Sequence, residues 1–126
     1  MTLAILYPGR NPRVLTSSDV EFLESFYELI STVQCGRAET VRSNDSLEQS
    51  VPHLLEAALD AQAKGASAIV VNLMAENGLT AVRAAVDIPV YGLPESGFFL
   101  AGTVAQRFSV VSSTEASRDV LAPIAQ

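Results

Sequence analysis

Apolar and polar positions along the chain follow two alternating periods. Residues 3–7, "LAILY", form a short continuous apolar run, which reads as a first strand. After the Pro- and Gly-rich loop "PGRNPRVLTSSD", Val20, Leu23, Phe26, Tyr27 and Ile30 recur at helical spacing. They predict a first helix, with Ser17 or Ser18 as its cap. A weaker second strand is expected over 37–41. The polar stretch "RSNDSLEQ" reads as a loop before a second helix, capped by Ser50, with Pro52 tolerated in the first turn. Leu54, Leu55, Ala58, Leu59 and Ala61 or Gln62 continue that helix, and Gly65 ends it. Residues 68–71, "AIVV", are apolar on both faces, as in a central parallel strand. A short helix over 78–85, a fourth strand over 90–92, a fourth helix over 95–105, a fifth strand in "RFSVVSS" and a last helix over 114–123 complete the pattern.

Five such strand–helix units predict one α/β domain spanning 1–126: a doubly wound parallel sheet, flavodoxin-like, with strand order 2-1-3-4-5. In such sheets ligands sit outside the carboxyl ends of the strands. The candidate loops are therefore 7–17, 42–49, 72–77, 93–95 and 112–114.

Composition narrows the chemistry. The 126 residues are 48% apolar and only 17% charged, which suits a chain with a packed core. A net charge of −6 without a Lys/Arg cluster argues against nucleic acid and anionic membrane as partners. The single cysteine, Cys35, excludes an internal disulfide and a multi-cysteine zinc site. No basic region precedes the first apolar run, which reads as a strand rather than a signal peptide. The stretch 97–104 is too short and Gly-broken to span a bilayer, and a cytoplasmic location is expected. No Gly-rich phosphate fingerprint occurs, so no nucleotide cofactor is expected.

The candidate residues are few. Cys35, between the first helix and the second strand, is expected on the rim opposite the ligand, as a small half-buried apolar residue. His53 would open the second helix on the ligand rim, where a surface or capping role suffices. With no second His or Cys near it, no metal site is expected. Arg10 and Arg13 have the chemistry to pair with a carboxylate or phosphate, and solvated surface is their default. Ser112, Ser113 and Thr114 would open a helix after the fifth strand and form a natural anion seat. Glu95 begins the fourth helix, where the helix dipole stabilises a carboxylate.

The order of these pieces resembles the first half of the Asp/Glu/hydantoin racemase superfamily. Matching pieces are the "VPHLL" helix start at 51–55, "GASAIVV" at 65–71, Gly78 and Leu79, "DIPVYG" at 87–92, Glu95, and "RFSVVSST" at 107–114. At the N-terminus Tyr7-Pro8-Gly9 stands in for the family's Asn-Pro-Asn, and a second register would place Asn11-Pro12 there. The resemblance implies two similar lobes, each giving one cysteine to a cofactor-independent proton transfer beside a carboxylate. The first cysteine belongs where this chain has Leu73, and the second lobe would follow residue 114, whereas the chain stops at Gln126. Decarboxylase relatives also lack the first cysteine and protonate from the other lobe.

No residue is therefore assigned a catalytic role. The expected binding residues are Tyr7, Pro8, Asn72, Leu73, Glu76, Asn77, Glu95, Ser112, Ser113 and Thr114, facing a small carboxylate or amino-acid-like ligand. Three readings follow: a non-catalytic carboxylate binder, a cofactor-independent isomerase whose site is shared between chains, or a dimerising module. A homodimer or larger assembly is expected, because Phe98, Phe99 and Leu100 are consecutive and one helix face cannot bury all three.

Overall fold

The computed structural model describes residues 1–8, 16–35, 44–72, 76–111, 118–119 and 121–122. Four parallel strands form one sheet among them, in the order β2-β1-β3-β4. They are β1 (Thr2–Pro8), β2 (Glu28–Cys35), β3 (Ala68–Val71) and β4 (Val90–Gly92), connected by α1 (Ser17–Glu24), α2 (Asn44–Ala63) and α3 (Glu76–Ala85), with α4 (Leu93–Val104) following β4. The parallel α/β class and the order of these four strands are those expected. None of the helices is long and apolar enough to cross a membrane among the described residues.

The two sheet faces divide the core. Ala4, Leu6, Ile69, Val71 and Val90 point to one face, where Leu54, Ala57, Ala58 and Ala61 of α2 and Leu79, Val82 and Val86 near α3 cover them. Leu3, Ile5, Tyr7 and Ala68 point to the other, against Leu23 of α1. Strand alternation sets this split, and β1, paired on both sides, carries residues of both clusters.

Helix ends follow local chemistry. Thr16, not Ser17 or Ser18, caps α1: its side chain accepts from the Asp19 N–H, and the Asp19 carboxylate accepts from the Thr16 N–H at 2.8 Å. This reciprocal box satisfies two otherwise open donors. Gly65 ends α2 as expected, at φ +89°. Its N–H donates to Gln62 O and that of Ala66 to Ala61 O, both at 3.0 Å, a double closure that needs a left-handed residue.

Several expectations are corrected. The first helix stops at Glu24, and Ile30 belongs to β2, which pairs with β1 from Thr2↔Glu28 to Pro8↔Cys35. The described second strand is thus 28–35, and the stretch 37–41 lies outside the described residues. Cys35 closes β2 at the carboxyl rim, not the opposite one. From Asn44 on, the polar stretch before Ser50 is helical, so Pro52 sits inside α2 and not in its first turn. An interior proline forfeits one hydrogen bond and costs ~3 kcal/mol; the buried Leu54, Ala57, Ala58 and Ala61 beyond it supply the compensation. His53 is exposed mid-helix rather than at the helix start.

The fifth strand is the largest departure. Residues 107–111 form no strand and are exposed. The edge beside β4 is occupied otherwise. Pro89 O accepts from Ile69 N–H at 2.9 Å, so by strand alternation Val90 O faces the open edge. There Arg83 donates to it from Nε at 3.1 Å and Nη2 at 2.9 Å. A guanidinium on the open carbonyl is a common way to blunt a sheet edge. Of the expected last helix, residues 118, 119 and 121 are helical, and Leu121 is buried.

Gly92 marks a tight helix–strand approach. A Cβ there would lie 2.6 Å from Leu79 Cδ2, and Leu79 is held in the core. Gly92→Ala is expected to destabilise the chain by about 1–3 kcal/mol through overpacking, read as a lower urea midpoint with unchanged slope. An unshifted midpoint would mean that Leu79 moves aside freely.

Candidate functional site

Tyr7 and Asn72 meet at the carboxyl rim. Tyr7 lies near the end of β1 and is buried, because its ring continues the apolar face of Leu3 and Ile5. Asn72 follows β3 directly, and its N–H donates to Leu6 O at 2.9 Å, which fixes its backbone against β1. Its side chain hydrogen-bonds the Tyr7 phenol. Burial pushes the phenol's pKa up; the Asn72 hydrogen bond opposes this, and the charge of Asp19 adds to it. Tyr7 is therefore a neutral hydrogen-bonding group at neutral pH.

Asp19 is the part that sequence reasoning missed. Its carboxyl lies below its ordinary range, first because the Thr16 hydroxyl donates to it and then because the Thr16 N–H does. It thus stays ionised, and its charge is felt at Tyr7. The capping box places this charge: Thr16 begins α1, and α1 lies on the sheet face that bears Tyr7. The capping signature Thr16–Asp19 was the available sequence signal.

Glu95 has a different occupation. It accepts from Arg83 Nη1 at 3.2 Å and from Nη2, and closes the α4 start by accepting from Gly92 N–H at 3.3 Å. The Arg83 hydrogen bond holds its carboxyl below the usual range; partial burial opposes this, and the Gly92 N–H and the Arg83 charge reinforce it. Glu95 is thereby turned toward the β4 edge as a structural acid.

The remaining expected residues divide in two. Pro8 ends β1 on the rim, and Glu76 and Asn77 open α3 there. Leu73, Ser112, Ser113 and Thr114, with Arg10 and Arg13, lie outside the described residues. Among the described residues no group of three His, Cys, Asp or Glu is placed to hold a metal ion. An open groove of about 770 Å³ lies elsewhere, along β4 and α4, between Arg83, Pro89, Tyr91, Phe99 and Leu100. It is not the Tyr7–Asn72 site.

The family described as Asp/Glu/Hydantoin racemase matches residues 26–125. A hydantoin racemase from Pseudomonas sp. (strain NS671) is 38% identical over 63 residues, 50% of this chain and 25% of that protein. Among solved structures, allantoin racemase from Klebsiella pneumoniae superposes with a TM-score of 0.76 at 17% identity, over 98% of this chain and 53% of that one. Unliganded arylmalonate decarboxylase superposes with a TM-score of 0.64 at 14% identity, over 98% of this chain and 56% of that one. The chain spans a quarter to about half of these relatives, and at such identities the structural likeness speaks for the fold.

Proposed function

The chain belongs to the Asp/Glu/hydantoin racemase family, and we propose that it is a divergent member that binds a small carboxylate at its carboxyl rim without two-cysteine racemisation. The observation that carries this reading is the Tyr7–Asn72 pair, a buried neutral phenol and an amide held together where β1 and β3 end. Such groups orient a ligand by hydrogen bonds and exchange no proton with it near neutral pH. Leu73, in the loop that follows, has no titratable group. The ligand of this reading is a small carboxylate or an amino-acid-like compound.

The test is a thermal-shift and calorimetric panel of amino acids, dicarboxylates and hydantoins. Saturable stabilisation by a small carboxylate or an amino-acid-like compound is expected, and Tyr7→Phe should weaken it about 5- to 10-fold, the worth of one neutral hydrogen bond. A panel with no binder sinks the reading. Binding indifferent to Tyr7→Phe moves the site elsewhere.

A second reading rests on Cys35. Because β2 ends on the carboxyl rim, the chain's thiol-bearing residue belongs to the rim where ligands bind. A cofactor-independent isomerase with a site shared between two chains would use it, each chain giving one thiol.

A further inference from the structure

We propose that the turn closing α1 is a docking site for an arginine-bearing segment of a partner protein. Three aromatic side chains stand in solvent there: Phe22 is 65% exposed, Phe26 66% and Tyr27 38%. They form one cluster. Phe22 meets Phe26 edge-on with ring centroids 5.2 Å apart, and Phe26 meets Tyr27 at 6.4 Å. No residue of α1 is buried, and Leu23 anchors the stretch on the sheet face. The turn itself is fixed. Leu23 O accepts from the Phe26 N–H at 3.0 Å and from the Tyr27 N–H at 2.9 Å, and the Ser25 hydroxyl donates to Phe22 O at 2.6 Å. The rings are thus presented on an anchored backbone, which lowers the ordering cost of binding.

Charge selects the occupant. Aromatic faces carry negative potential and attract a cation within about 6 Å of the ring centre. Around these rings the charged side chains are acidic. Glu21 and Glu24 are exposed and three residues apart, so they are neighbours on α1. Glu24 stands in the last turn, at the negative end of the helix dipole, with no basic residue to offset it. Glu28 follows, also exposed. Neither Lys nor Arg occurs from residue 16 to 35, and the ion pairs among the described residues, Lys64–Asp60 and Arg83–Glu95, lie elsewhere. A second copy would bring these glutamates against their own kind on a chain that carries −6. Nucleic acid or an anionic lipid surface would meet like charge too. Arginine fits both features: its planar guanidinium stacks on a ring while its N–H groups reach a carboxylate. Area fits a segment as well. The three rings expose on the order of 400 Å², about half of the ~800 Å² that a standard interface takes from each partner.

A hexapeptide of alternating arginine and glycine, titrated into the whole chain, is the probe. Saturable binding is expected, with NMR shifts centred on residues 21–28 of the unaltered chain. Phe22→Leu with Phe26→Leu keeps the apolar volume and removes the rings. It should weaken binding about 10-fold, as the loss of two exposed cation–π contacts implies. Glu21→Gln with Glu24→Gln should also weaken it and flatten its salt dependence. Phe99→Leu, in the groove at α4, is the control and should change nothing. No saturable binding overturns the proposal, as do shifts centred outside 21–28. Equal affinity in the leucine pair would mean that net charge alone attracts the peptide. Equal binding of a glutamine–glycine hexapeptide would mean that no cation is recognised. Self-association that is lost in the leucine pair, read by light scattering, would make a second copy the occupant. Each of these three outcomes overturns it as well.

Discussion

Leu6→Ala is expected to cost the fold about 2–5 kcal/mol, the range for deleting a buried leucine whose cavity cannot collapse. Leu6 is 0% exposed and belongs to β1, which is hydrogen-bonded on both sides, to β2 and to β3. Its neighbours on that face are fixed by the α2 and α3 packing around Leu54, Val71 and Val82. Backbone relaxation there would have to drag two strands with it. Against a typical total of roughly 5–15 kcal/mol, such a loss leaves a large unfolded fraction at moderate temperature. Leu100→Ala supplies the contrast, since truncating a side chain 64% exposed should change stability by no more than about 0.5 kcal/mol. Urea melts of both variants decide it. A Leu6→Ala loss below about 1 kcal/mol would mean that β1 is not the centre of the core.

Which elements could be read from residues alone follows from how many structures each pattern permits. β3 and β4 have the expected bounds, because a short apolar run between Gly65 and Asn72, or between Pro89 and Pro94, leaves little choice of period. The stretch around Phe26, Tyr27 and Ile30 satisfies helical spacing, but its β-branched Ile30, Thr32 and Val33 also fit a strand. Pairing with β1 resolved it, and that pairing joins residues 26 positions apart, Thr2 with Glu28. Pro52 misled for a local reason: proline favours a first turn, and the burial of Leu54, Ala57, Ala58 and Ala61 beyond it keeps α2 continuous. Phe108, Val110 and Val111 carry real strand propensity, yet a strand also needs an edge, and Arg83 holds the edge at Val90. The same limit applies to the site. Tyr7 and Asn72 were both visible as strand ends, and the sheet order makes β1 and β3 neighbours. Their contact, the Asp19 charge beside it and the Glu95–Arg83 pair depend on side-chain direction, which spacing does not encode.

No α-carbon deuterium exchange is expected when the chain is incubated with aspartate, glutamate or a hydantoin in heavy water. Removing a proton beside a carboxylate and returning one to the opposite face takes a base and an acid on either side of the carbon. Each such group is worth about 10²–10⁴ in rate. A thiol suits the task because its ordinary pKa, about 8.5, is easily brought near neutrality. The described rim side chains offer poor substitutes. Burial keeps the Tyr7 phenol protonated, so it is no base at neutral pH. Asn72 does not titrate in that range, and Glu95, acidified by Arg83, is too weak a base and is turned to that partner. Leu73 carries no proton to give. Losing both proton-transfer groups would lower the rate by about 10⁴-fold or more, to a level that mass spectrometry of the recovered amino acid would not separate from the uncatalysed control. Cys35 keeps the prediction falsifiable. Exchange above background that vanishes in Cys35→Ser would place a working thiol at the end of β2. It would replace the ligand-binding reading with the shared-site isomerase, one thiol from each chain. Exchange that persists in Cys35→Ser but vanishes in Tyr7→Phe would instead mean that the phenol ionises in the complex, against the direction in which its burial drives it.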